Sequence, residues 1–324
     1  MALLDVRNLS VEFKNRRGNL KALDDISLSI EAGEVLGIVG ESGAGKSLTS
    51  AAVIGLLQAP GYVSAGQILF DGRRIDNLPA EEMNRLRGRE IGAIFQDPLT
   101  ALDPLYSIGQ QLVETIQAHL DLNVDDARVR AVELLQETGI PGAAERFYAY
   151  PHQLSGGMRQ RVVIALAIAA NPKLIIADEP TTALDVSIQA QIMLLLKQLG
   201  ARHGSAVMLV THDMGVIAEV ADRVVVMYAG RIVETGPTRE VIHHPRHPYT
   251  IGLMNSIPKL SGTAERLQQI DGAMPRLGSI PSGCAFHPRC RQVHERCLRE
   301  RPETFTAGLS KVACWSVKEE QVAA

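Results

Sequence analysis

Residues 40–47 read Gly-Glu-Ser-Gly-Ala-Gly-Lys-Ser, a spacing of glycines, lysine and hydroxyl suited to holding phosphate groups. Glycines let the backbone curl so that its N–H groups point inward at phosphate oxygens. Lys46 would reach the β- and γ-phosphates, and the Ser47 hydroxyl would hold Mg²⁺. The surroundings fit. Glu34 to Gly40 (EVLGIVG) is an apolar stretch suited to a buried parallel strand, and Leu48 to Leu57 has the character of a helix opening at the loop. The N-terminus of that helix would add partial positive charge beside the phosphates.

Two further segments carry chemistry. Leu154-Ser-Gly-Gly-Met158 precedes the run RQRVVIALAIA, so Ser155 stands at a helix start with Gly156 and Gly157 leaving room for another molecule's phosphate. Asp178 follows 23 residues after Ser155, at the end of the apolar strand Leu174-Ile-Ile-Ala, where a carboxylate holds Mg²⁺ in P-loop enzymes. Glu179 comes next and is placed to polarise an attacking water.

The elements needed to position these residues are legible as patterns. VRNLSVEF, ALDDISLSI, QILFDGRRI, REIGAIFQDP and AVMLVTHD read as strands, and Asp71-Gly72 marks a turn. VVVMYAGRIVETG reads as a final strand pair. From Tyr106 to about Ala170 apolar residues recur at helical spacing, predicting an all-helical insertion. VSIQAQIMLLLKQLGARHG and MGVIAEVADR read as helices, and their alternation with strands predicts a largely parallel sheet faced by helices. After Ile242 the chain becomes rich in Pro, Gly and His, predicting a loop-rich tail that needs a staple.

Composition narrows the function class. The 324 residues are 46% hydrophobic and 21% charged, with net charge −3, so no basic excess points to nucleic acid. The longest clean apolar run, Val162 to Ala170, is well short of the ~20 residues that span a bilayer. The opening MALLDVRNLSVEF carries no basic stretch followed by an apolar core, so no secretory signal is expected and membrane contact is expected through partners.

In order and spacing these segments resemble the nucleotide-binding subunit of an ABC transporter, over about residues 3–240. The resemblance implies an α/β P-loop cassette: a RecA-like, mostly parallel sheet, an antiparallel β subdomain and an α-helical subdomain at about 99–170. It divides the chain into a nucleotide-binding domain at 1–242 and an extension at 243–324. It implies ATP and Mg²⁺ held by Gly40, Glu41, Ser42, Gly43, Ala44, Gly45, Lys46, Ser47 and Leu48. Gln96, in IFQDP, resembles a glutamine that senses Mg²⁺ and contacts the membrane subunit. Ala183-Leu184-Asp185 is similar to the D-loop, and His212 to the switch histidine on the γ-phosphate. Phe13 is the best match to the aromatic that stacks on adenine, where Tyr is commoner. Taken singly, His212 reads as a strand-end histidine and Gln96 as a solvated turn residue; their order among the other motifs is what assigns them.

The implied activity is ATP hydrolysis with Glu179 as general base, assisted by His212, Lys46 and Gln96. Two cassettes would clamp ATP between the P-loop of one and Ser155-Gly156-Gly157 of the other. A sister cassette is favoured as mate over a second copy. Two permease subunits and an extracytoplasmic substrate-binding protein complete the implied complex, at the cytoplasmic face of the membrane. His247-Pro248-Tyr249-Thr250 and Ile251 to Pro258 resemble the tails of oligopeptide and dipeptide import ATPases, a group that also serves nickel and glutathione. Non-transport ABC ATPases commonly fuse two cassettes or carry a long coiled coil, exporter cassettes carry membrane helices, and GTPases and small-molecule kinases need no LSGGM segment. None of these features fits this chain.

Cys284, Cys290, Cys297 and Cys314 have five, six and sixteen residues between them. That spacing leaves an iron–sulfur cluster, zinc and no metal all open, with His287 and His294 as further candidate ligands. The resemblance implies a structural [4Fe–4S] cluster on the four cysteines, with zinc as second choice and Arg289, Arg291 and Arg296 balancing its charge.

Overall fold

The computed structural model describes residues 2–16, 18–182, 184–256 and 269–323. Its strands are β1 (Leu4–Phe13), β2 (Leu20–Ile30), β3 (Val35–Val39), β4 (Gly61–Phe70), β5 (Arg73–Arg74), β6 (Ile91–Ile94), β7 (Leu174–Asp178), β8 (Ala206–Thr211), β9 (Arg223–Tyr228), β10 (Arg231–Pro237), β11 (Phe305–Ala307) and β12 (Ser310–Val312). The chain forms two compact units, one of residues 30–35 and 77–210, the other of residues 2–29, 36–76 and 211–324.

In the first unit β6, β7 and β8 run parallel, with Ile91 opposite Leu174 and Leu174 opposite Ala206. Leu174 to Ala177 and all of β8 are buried, as expected of strands covered on both faces. Between β6 and β7 lies the helical segment. Its helix Ile108–His119 starts in a capping box: the Ser107 side chain accepts from the Gln110 N–H while Gln110 Oε1 accepts from the Ser107 N–H. Helix Val124–Glu137 is capped by Asn123, whose side chain accepts from the Asp126 N–H, and two acids sit in its first turn. Helix Gly156–Ala167 follows, its residues Val162 to Ala165 buried. The helix Val186–His203 precedes β8.

In the second unit, the antiparallel sheet has the order β2-β1-β4-β5. The Asp71-Gly72 turn is found, with Phe70 opposite Arg73, but β4 begins as early as Gly61 and its main partner is β1. Register shifts between Arg7 and Val11 mark a bulge there. A second run of strands has the order β11-β12-β10-β9-β3: β3 and β9 are parallel, and β9 and β10 form the expected hairpin at Ala229-Gly230, both at positive φ. The tail's last hairpin adds to this sheet, with Val312 of β12 opposite Glu234 of β10.

The tail is held without a covalent staple among the described residues; all four cysteines are free. Tyr228, Tyr249 and Phe286 meet edge-on or tilted, with ring centroids 4.7, 5.1 and 5.4 Å apart. Beside them the buried Glu234 accepts the backbone N–H groups of Arg246 and His247 at 3.0 and 2.9 Å, which aims the chain into helix Pro248–Asn255. Among the described residues no helix is long and apolar enough to cross a membrane. Ala183, Ile257 and Pro258, which the motif reading includes, lie outside the described residues.

Candidate nucleotide site

The phosphate-loop residues belong to the second unit. β3 is buried throughout and ends at Val39, and the helix Lys46–Val53 starts seven residues later. Gly45 occupies the helix N-cap with φ 105°, a backbone that side chains rarely adopt, and a Cβ there would meet Leu23 Cδ2 at 2.7 Å. At Gly40 a Cβ would collide with the carbonyl oxygen of Met227, so the loop leaves the strand by pressing against β9. Ala44 is buried and its carbonyl accepts from the Gly230 N–H at 2.8 Å, while Ser42, Gly43 and Ser47 face outward and Leu48 is half-buried.

Lys46 is only 4% exposed, and its ammonium donates to the carbonyls of Gly40 and Glu41 at 2.9 and 3.2 Å. This buried cation, with glycine backbone beside it and a helix N-terminus, fits a polyphosphate and its Mg²⁺.

Glu41 is held by groups that the motif reading missed. Arg289 donates to its carboxylate through Nη1 and Nη2 at 2.7 and 3.0 Å, and the Glu41 N–H donates to Tyr249 Oη at 2.8 Å. No local signal announces these pairs, since 248 and 208 residues separate the partners. Phe13 is half-buried at the end of β1, its ring close enough to Gly61 that a Cβ there would lie 2.9 Å from it. His212 is exposed just after β8, and Asp213 caps helix Met214–Val220 by accepting from the Gly215 and Val216 N–H groups.

The other motif residues belong to the first unit. Asp178 ends β7, half-buried. Glu179 has φ 47°, uncommon for a residue with a side chain, and is locked there by its N–H donating to the Val210 carbonyl at 2.8 Å. Its carboxylate accepts from Gln96 Nε2 at 3.2 Å and Thr182 Oγ1 at 3.1 Å, so the structure brings Gln96 and Glu179 together across 83 residues. Ser155 is exposed and caps its helix, accepting from the Met158 N–H at 3.3 Å. Gly156 and Gly157 are the helix's first residues, close to Leu184 and Ile188, and Asp185 is the exposed residue preceding helix Val186–His203.

The family described as ABC transporter matches residues 23–182, and the one described as oligopeptide/dipeptide transporter, C-terminal region, matches residues 233–297. The oligopeptide transport ATP-binding protein OppD of Haemophilus influenzae is 47% identical over 98% of this chain and 98% of its own length. The dipeptide transport ATP-binding protein DppD of Escherichia coli is 48% identical over 93% of this chain and 92% of its own. The chain belongs to the ABC transporter ATP-binding proteins. Among solved structures, the dimeric ATP-binding cassette MJ0796 bound to ADP and phosphate superposes with a TM-score of 0.65 at 30% identity, covering 73% of this chain and 99% of that one. The expected cassette fold is thus found, with parallel and antiparallel sheets and a helical segment, and the enzyme is an ABC-type ATPase.

The expected iron–sulfur cluster is not supported, and neither is zinc. Among the described residues no three His, Cys, Asp or Glu side chains are arranged to hold a metal ion. Cys297 and Cys314 are buried and Cys284 and Cys290 partly so. Burial, with smaller repulsion from the neighbouring cysteines, pushes the Cys284 thiol up to about 11, and burial raises Cys290 and Cys314 as well. Of the histidines and arginines expected to assist, Arg289 and Arg296 are engaged elsewhere. His287 Nδ1 lies 3.0 Å from the Cys284 carbonyl oxygen and His294 Nε2 lies 3.8 Å from Glu319. Arg289 holds Glu41, Arg291 lies 3.6 Å from Asp271, and Arg296 pairs with Glu300 and stacks 3.6 Å over the Trp315 ring. The relatives that share the tail are named for peptide transport and ATP binding, not for a cluster.

Proposed function

We propose that this ATPase drives import of dipeptides or oligopeptides as the nucleotide-hydrolysing subunit of an ABC transporter. The observation that carries the reading is the near full-length identity with OppD and DppD, including the tail, whose names state oligopeptide and dipeptide transport. The domain assignment that goes with it is a cassette at 1–242 and an extension at 243–324.

The glycine-lined loop from Gly40 to Leu48 would bind the phosphates, with Lys46 turning from the loop carbonyls toward the β- and γ-phosphates. Ser47, Gln96 and Asp178 would hold Mg²⁺, which supplies charge neutralisation on the phosphates when bound. Glu179 would take the proton of the attacking water, with Gln96 and Thr182 steadying its carboxylate through the bonds described above. His212 would orient the γ-phosphate and Phe13 would stack on adenine. Ser155, Gly156, Gly157 and Asp185 would meet the nucleotide and P-loop of a second cassette, a sister chain in preference to a second copy. Loss of the γ-phosphate contact on hydrolysis would let that dimer open. Two permease subunits at the cytoplasmic face and a substrate-binding protein on the other side would complete the machine and select its cargo.

The test is reconstitution of the chain with its permease and sister subunits in liposomes. Peptide uptake that requires ATP and disappears in Lys46→Ala is expected. ATP hydrolysis without peptide uptake, or uptake indifferent to Lys46→Ala, overturns the assignment.

A further inference from the structure

Glu41, the second residue of the phosphate loop, is fixed at both its side chain and its backbone by residues more than 200 positions later. Arg289 makes the two-pronged contact, the strongest form of a guanidinium–carboxylate pair. The guanidinium is itself immobilised. Nε donates to the Asp271 carbonyl at 2.8 Å, Nη2 to the Ile270 carbonyl at 3.3 Å, and its plane lies over Tyr228 and Phe286 at 5.8 and 6.0 Å. Its side chain is 6% exposed and that of Glu41 29%, so water reaches the pair from the carboxylate side only. Tyr249 is fully buried, with its ring against Tyr228 and Phe286. The grip passes directly to Lys46, whose ammonium is anchored on the Gly40 and Glu41 carbonyls.

We propose that Arg289 and Tyr249 are positioning residues for nucleotide binding: by clamping Glu41 they hold the backbone of the phosphate loop in the binding conformation, so these two residues of the tail set nucleotide affinity. The inference rests on the reading that this loop binds ATP. A loop of exposed, glycine-rich backbone samples other conformations, and apparent affinity falls in proportion to the competent fraction. The clamp acts on bound ground state and transition state alike. Its loss therefore raises KM and leaves kcat nearly unchanged.

The experiment uses the full chain with Mg²⁺ and ADP in equilibrium titrations, together with steady-state ATP hydrolysis in its complex. Arg289→Ala weakens ADP binding by about tenfold and raises KM for ATP by a similar factor, with kcat changed by no more than about twofold. Arg289→Lys restores only part of the affinity, because an ammonium keeps the charge and loses the fork. Glu41→Ala and Arg289→Ala together bind no more weakly than either alone, since each removes the same link. Arg291→Ala, whose partner Asp271 is exposed, binds as the wild type. Normal ADP affinity in folded Arg289→Ala, or single-variant losses that multiply in the double variant, overturns the proposal. If Arg289→Ala does not fold, Tyr249→Phe and Glu41→Gln report instead: weakened ADP binding at unchanged melting temperature supports the clamp, and unchanged binding in both refutes it. Failure of the wild type to bind ADP, or tight binding by Lys46→Ala, is a different result and overturns the nucleotide reading beneath it.

Discussion

Replacing Glu179 by Gln separates chemistry from architecture in one step. The backbone at φ 47° is fixed by the N–H bond to Val210 and is no harder for Gln than for Glu. The Gln side-chain carbonyl can still accept from Gln96 or Thr182, so the change turns charged acceptors into a neutral one at a half-buried position. The folding cost is then about 1 kcal/mol, from weakening charge-assisted bonds rather than deleting them. The catalytic cost is of another size. Loss of a positioned base lowers kcat by about 10²–10⁴, equivalent to ~3–5 kcal/mol on the barrier. Phosphate release by the assembled complex at saturating Mg²⁺-ATP measures kcat, and nucleotide titration and thermal melting measure the rest. The expected pattern is intact ATP binding, a small drop in melting temperature and almost no turnover. A variant within about threefold of wild-type kcat, far above the loss expected of an absent base, removes Glu179 from the general-base role. Lost binding with intact kcat makes it a binding group instead.

His247 is buried and its Nδ1 accepts the Tyr249 N–H, and burial pulls its pKa down from 6.5 to about 3. The unfolded chain therefore takes up a proton near pH 6.5 that the folded chain refuses until about pH 3, and stability falls as pH drops through that window by up to ~1.4 kcal/mol per unit. Urea unfolding of wild type and His247→Gln at pH 7 and pH 5 checks this: the wild type loses about 2 kcal/mol more than the variant between the two, and equal losses refute it. Subtracting the variant cancels other groups, including Glu234, whose buried carboxyl is raised and works in the opposite direction. Cys284, pushed up to about 11, should be alkylated by iodoacetamide slowly at pH 8 and about tenfold faster per pH unit above it, as read by site-resolved mass spectrometry. Rapid labelling at pH 7 would show a thiolate and overturn the burial argument.

The loop-forming glycines, Lys46, the helix start at Ser155 and the carboxylates at and just after the end of β7 could be read from the chain alone, because each is a local pattern tied to a local backbone. Gly45 needs its left-handed N-cap and Ser155 its cap bond to Met158 whatever surrounds them. The β9–β10 hairpin and the helices from Ile108 to Ala167 were equally legible from periodicity and turn residues. The tail was not. The resemblance implied a cluster on its four cysteines, but among the described residues no three His, Cys, Asp or Glu side chains are arranged to hold a metal ion, and the tail is held instead by the aromatic contacts of Tyr228, Tyr249 and Phe286 and by Glu234 on the backbone at Arg246 and His247. Arg289 on Glu41 and Gln96 on Glu179 are pairings across long sequence separations. Nothing in the one-dimensional pattern distinguishes Arg289 from its exposed neighbour Arg291; only folding buries one against the phosphate loop and leaves the other in water.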